Sequence, residues 1–195
     1  MQTLHQTRED WLTQAVEELR PFFDAHNKPI PANVRVACGF PLNAKRNNAI
    51  GECHPASNSA DKAVEILISP VLDDPLRVFD VLVHELCHAT AGAMNHGVRF
   101  ASIATAMHLE PMNPGGRNAW GSTQRAPGFL GEYQAIIDSL GAYPHARLDF
   151  STRKKQGTRM LKAVCPSCGY TIRLTAKWAG QGMPTCPCGD DFHTV

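Results

Sequence analysis

The stretch HELCHATAGAMNHGVRF, residues 84–100, opens on a zinc-site pattern and carries a third histidine near its far end. Positions i and i+4 share one face of a helix, so His84 and His88 can turn their imidazoles toward a single ion while Glu85 lies beside them. Leu82, Val83, Leu86 and Cys87 make this segment apolar, and a glutamate between two histidines in an apolar helix needs a partner. A catalytic zinc takes three protein ligands and leaves one position open, so the third ligand decides the type of site. A metzincin places Gly and His three and six residues after its second histidine; here those places hold Ala91 and Met94. Two candidates remain. Glu110 would serve in a thermolysin-like arrangement, but Pro111 follows it at once and marks a helix end. His96 is too far round to share the face of an unbroken helix. Gly92 and the run Asn95-His96-Gly97 let the chain turn back and set His96 at the start of the next helix, over the ion.

Outward from this stretch, Asp73 or Asp74 caps the helix, Pro75 stands in its first turn, and Leu76, Phe79, Val83 and Cys87 recur at helical spacing. Before it, three short alternating runs read as strands: NVRVACGFP, AIGECHP and AVEILISP, joined by the polar turns AKRNN and ASNSADK. They predict a small antiparallel or mixed sheet. An amphipathic helix from about Thr7 to Phe23 opens the fold, with Trp11, Ala15, Val16, Leu19, Phe22 and Phe23 on its apolar side. After the signature, helices are expected over Gly97–Leu109 and Pro127–Leu140, separated by the loop PMNPGGRNAWGS. Strands early and helices late predict an α+β fold.

The 195 residues suffice for one ordinary domain and a small appendage, and 43% hydrophobic residues suit a packed core. Residues 1–146 are expected to form the main domain, 147–163 a basic linker, and 164–195 a zinc ribbon. The net charge of +1 hides an asymmetry: residues 1–146 carry 11 Lys/Arg against 15 Asp/Glu, and residues 147–195 carry 8 against 3. No basic-then-apolar leader opens the chain and no run of 18 apolar residues occurs, so the expectation is a soluble, cytoplasmic protein without a membrane partner.

Seven cysteines without a secretory leader read as thiols or metal ligands. Cys165-x-x-Cys168 and Cys186-x-Cys188 have nearly the paired spacing of a zinc ribbon, with Pro166, Gly169, Pro187 and Gly189 supplying two tight turns. Four thiolates leave no open position, so this second zinc would be structural. His193 is a spare ligand. Cys38, Cys53 and Cys87 read as packing residues, while His54 and His108 could reach the cleft but more commonly read as structural histidines. Arg147, Arg153, Lys154, Lys155, Arg159, Lys162, Arg173 and Lys177 surround the ribbon, and Tyr170 and Trp178 can stack on bases. That combination predicts a DNA partner, with a merely solvated linker as the alternative source of the charges.

Taken together, EILISPVLDDPLRVFDVLVHELCHATAG followed by NHGVRF, with IGEC ahead of a strand and a terminal cysteine ribbon, resembles the SprT-like family of zinc metalloproteases. The resemblance implies a minimal zincin fold, His84, His88 and His96 as ligands of a catalytic zinc, and Glu85 as general base and acid. It implies a compact bacterial or phage type, with endoproteolysis of DNA-associated protein as the expected activity. The rival expectation is a non-enzymatic nucleic-acid-binding or transcription-associated factor whose two zinc ions are both architectural.

Overall fold

The computed structural model describes residues 4–42, 49–149 and 160–195. It divides into two compact units, Met1–Asp149 and Phe150–Val195. Together they make a mixed α and β chain with small sheets.

In the first unit, helix α1 (Arg8–Ala25) starts at a capping box, in which Thr7 accepts from the Asp10 amide and Asp10 accepts from the Thr7 amide. Its buried face carries Trp11, Leu12, Ala15, Val16, Leu19 and Phe23. Strands β1 (Val34–Cys38), β2 (Gly51–His54) and β3 (Val64–Ile68) form a sheet in the order β1-β3-β2. β1 runs parallel to β3 and β2 antiparallel, so the sheet is mixed. Val64, Ile66 and Ile68 are buried, while Glu65 on the other face pairs with Arg35. That alternation turns one face of the sheet to the helices.

Helix α2 (Pro75–Ala91) carries the signature and is capped by Asp74, whose carboxylate accepts from the Arg77 amide at 2.9 Å. It packs along β2 and β3 and against α3 (Val98–Ala106) and α4 (Phe129–Leu140). Phe79 of α2 meets Trp11 at 6.5 Å, Phe129 at 6.2 Å and Tyr133 at 5.6 Å between ring centres, and these aromatic contacts join α1, α2 and α4 in one core. Such packing fixes α2 along its length, which matters for a site built on it.

Two expectations need correction. The helix expected to reach Leu109 ends at Ala106, because His108 takes a left-handed φ of 55° and Leu109–Pro111 then forms strand β4. β4 pairs antiparallel with β5 (Thr123–Arg125), so the loop read as PMNPGGRNAWGS is the crossing of a β-hairpin. Of the segment expected as a linker, 147–163, the described residues are 147–149 and 160–163. At one end the Arg147 amide donates to Asp73 and the Leu148 amide to the Pro70 carbonyl. At the other, strand β6 (Leu161–Val164) already belongs to the second unit. The basic residues Arg153, Lys154, Lys155 and Arg159, and the turn AKRNN, lie outside the described residues.

The stretch before Asp149 is tied to the start of α1 by Arg8, which is only 7% exposed. Its guanidinium donates to the carbonyls of Pro144, His145, Ala146 and Pro70 and to Cys38 Sγ, and lies over the Tyr143 ring. A buried cation is tolerated when its donors are met.

In the second unit, β6 lies between β7 (Thr171–Leu174) and β8 (His193–Thr194), antiparallel to both, and a short helix α5 (Ala176–Ala179) follows β7. Its buried core comprises Ala163, Cys165, Cys186 and Phe192. No described helix is long and apolar enough to cross a membrane.

Candidate metal centres

The end of α2 explains how three histidines meet. Gly92 closes the helix in a left-handed conformation, φ 64°, with its amide donating to the carbonyls of His88 and Ala89. The chain then doubles back, and His96 sits just ahead of Gly97, the N-cap of α3. The His88 and His96 Nε2 atoms lie 3.1 Å apart, and those of His96 and His84 3.4 Å apart. A tetrahedral zinc with bonds of about 2.05 Å to nitrogen needs ligand atoms about 3.3 Å apart, so the spacing fits one ion. Glu110 stands elsewhere: on β4 it accepts from Gln124 Nε2 at 2.8 Å across the hairpin and is not in the histidine cluster.

The electrostatics suit the same use. Burial, followed by the neighbouring His88 and His96, pulls His84 down to about 3, and burial brings His88 down to about 4 and also lowers His96. All three rings are therefore neutral near pH 7, with lone pairs to give. Their other nitrogens are held from outside: His84 Nδ1 meets Thr123 Oγ1 at 2.8 Å and His88 Nδ1 meets the Ala93 carbonyl at 3.1 Å. A proton on each Nδ1 donates outward and leaves Nε2 free to bind. Phe100, 1% exposed, lies beneath all three rings with centres 4.3 to 5.0 Å away.

Glu85 opens on the same cavity of about 920 Å³ and is 6% exposed. Burial, then the charge of Glu52, pushes its carboxyl up to about 8, and a cation held by the histidines would act in the opposite sense. Its carboxylate lies against the bare backbone of Gly51 on β2. A Cβ at Gly51 would come within 2.7 Å of Val81 Cγ1 and 3.0 Å of Glu85 Cδ, and nearer still to Glu85 Oε1. The missing side chain is the slot that the carboxylate occupies.

The chain matches no family model, curated protein or solved structure.

Cys165, Cys168, Cys186 and Cys188 form the second cluster. The Cys165 and Cys188 sulfurs are 3.4 Å apart and those of Cys168 and Cys186 3.5 Å, near the separation of about 3.8 Å expected around a zinc with four thiolates. Each pair sits on a turn closed by a positive-φ glycine, Gly169 at 73° and Gly189 at 104°. The Cys168 backbone amide heads the interactions that bring the Cys165 thiol down to about 7, whereas at the other pair the backbone amides are outweighed by burial and the neighbouring sulfurs, which push Cys186 up to about 12 and also raise Cys188. His193 lies on β8 and is outside the cluster. Cys53 and Cys87 are buried in the core and Cys38 contacts Arg8. His54 lines the cavity, 3.6 Å from Glu52, whereas His108 packs near Tyr133.

Of the residues singled out in the sequence, the structure brings His84, His88 and His96 together with Glu85 on the same cavity, and gathers the four cysteines in a second group. Sequence reasoning missed Thr123, Gly51 and the carbonyl of Ala93. Nothing in the local pattern marks Thr123, which contacts a residue 39 positions away. Gly51 was visible as the glycine opening a strand, a position that often signals close approach of another group.

Proposed function

We propose that this chain is a zinc-dependent metallopeptidase of the SprT-like kind, with a zincin-like first unit and a zinc ribbon as its second, that cleaves protein associated with DNA. The observation that carries this reading is the convergence of three neutral imidazoles on one point of a cavity that Glu85 also lines. His84, His88 and His96 would hold the ion through their Nε2 atoms. A zinc ion held there would supply Lewis acidity to the attacking water and the scissile carbonyl. Glu85 takes the proton of the attacking water and delivers it to the leaving amine. Gly51 keeps that carboxylate in place, Thr123 and Ala93 orient the imidazoles, and the apolar wall of Phe100 restricts water behind them.

The test is cleavage of a protein bound to DNA by the zinc-loaded chain. Activity is expected, lost on chelation and restored by zinc; a loaded chain that leaves such a substrate intact overturns the reading. Gly51→Ala is expected to displace Glu85 and lower turnover by about 10²-fold, the cost of misplacing a reacting group by about 1 Å. Zinc content should stay at the parent level, as checked by metal analysis beside the cleavage assay.

A second reading, a non-enzymatic nucleic-acid-binding factor, draws support from the second unit. Tyr170 and Trp178 are 55% and 57% exposed, and Lys177 Nζ lies 5.1 Å over the indole, as suits stacking and phosphate contact. It predicts salt-dependent DNA affinity without proteolysis.

A further inference from the structure

The hydrogen bond on His84 comes from a strand that is itself held by an ion pair with no part in the proposed chemistry. Asp80 lies one helical turn before His84 and is 4% exposed. Its carboxylate takes Arg77 Nη1 at 2.7 Å on its own helix and Arg125 Nη1 at 3.2 Å from β5. Thr123 and Arg125 stand two residues apart on β5 and so share one face, turned to α2. Gln124 between them points the other way and bonds Glu110. The two contacts of β5 with α2 thus sit side by side, Arg125 on Asp80 and Thr123 on His84.

A buried carboxylate is a costly fastening. Desolvation pushes Asp80 up to about 6 despite two guanidinium partners, and an apolar pair would often join strand to helix at least as well. What an ion pair adds is register. A slip of one residue would turn Thr123 away and bring Gln124 to the helix.

We propose that Asp80 and Arg125 form a positioning clasp that sets the register of β5 on α2 and so holds the Thr123 hydroxyl on His84. With the clasp closed, His84 Nδ1–H donates to Thr123 Oγ1 and the Nε2 lone pair faces His88 and His96. Thr123 acts on the ion through His84, and Asp80 through Thr123. This inference rests on the reading of the three histidines as a metal site, but not on the reaction proposed there.

The experiment measures metal binding by the full chain. Cobalt(II) spectra distinguish the imidazole site from the thiolate site, whose sulfur-to-metal absorption serves as an internal control, and competition with a chromophoric chelator gives zinc affinity. Thr123→Val is expected to weaken binding at the histidines by about 10- to 100-fold and to shift the cobalt spectrum, with Thr123→Ser restoring both. Asp80→Asn and Arg125→Gln are expected to lose affinity over the same range. The double variant Asp80→Asn/Thr123→Val should bind about as well as either single one, because both act through one bond. Arg77 and Arg125 are 38% and 36% exposed, so water can take either once Asp80 is gone. If Asp80→Asn melts early, Arg125→Gln carries the test. Losses that multiply in the double variant, or clasp variants with parent affinity, overturn the clasp alone. A parent that binds no ion at the histidines overturns the metal reading itself.

Discussion

With Glu85 replaced by glutamine, the zinc-loaded chain is expected to lose cleavage of DNA-bound protein by about 10²- to 10⁴-fold, the usual contribution of a positioned proton-transfer group. Glutamine has the shape of glutamate, so the fit of the side chain against Gly51 is kept. What disappears is the basic oxygen. The imidazoles and their outer partners Thr123 and Ala93 are untouched, so zinc content and thermal stability should match the parent. Cleavage assays with metal analysis on the same preparation separate these outcomes. Equal cleavage by Glu85→Gln and parent would mean that Glu85 is not the base. A zinc-loaded parent that binds DNA but never cleaves, and is indistinguishable from Glu85→Gln in DNA affinity, would favour the non-enzymatic reading.

The second large effect is structural. Cys165→Ser is expected to unfold the second unit while leaving the first intact. The buried core of that unit is Ala163, Cys165, Cys186 and Phe192, with Ile172, Leu174 and Met183 partly covering it. So few apolar groups cannot offset the backbone entropy of ordering the unit. Zinc bound by small cysteine folds contributes on the order of 10–16 kcal/mol to folding, and losing one of four thiolates removes much of that. Backbone NMR should show resonances of residues 160–195 collapsing to unfolded positions while those of residues 4–149 persist. DNA affinity should fall as well if Tyr170 and Trp178 make the contact. A variant whose second unit stays folded in the presence of a chelator would show that the thiols are not its staple.

Much of this was legible because its signals are local. His84 and His88 are a fixed helical spacing apart, Gly92 and Gly97 announce a turn, and each cysteine pair carries its own glycine. The strands of the sheet were readable where alternation was strong, as in Val64, Ile66 and Ile68. The β4–β5 hairpin was not, since Leu-Glu-Pro and Thr-Gln-Arg are three residues each, without an apolar rhythm, and pair only across the long crossing between them. Everything that depends on that pairing was hidden too: the placing of Thr123 on His84, the approach of Arg125 to Asp80, and the capture of Glu110 by Gln124. Residue chemistry left both Glu110 and His96 as candidates; in the structure His96 joins His84 and His88, and the hairpin holds Glu110 on Gln124.

The left-handed turn at Gly92 has a consequence for the order of events as the chain is made. It brings the proposed ligands together within residues 84–96, and closing so short a loop costs little entropy. A nascent chain in which only α2 and the turn have formed already presents three imidazoles, whereas Thr123 arrives later in synthesis and the slot for Glu85 requires β2 to be seated. Capture of the ion is therefore expected to precede competence, with the growing polypeptide metallated before it is able to hydrolyse anything, including itself.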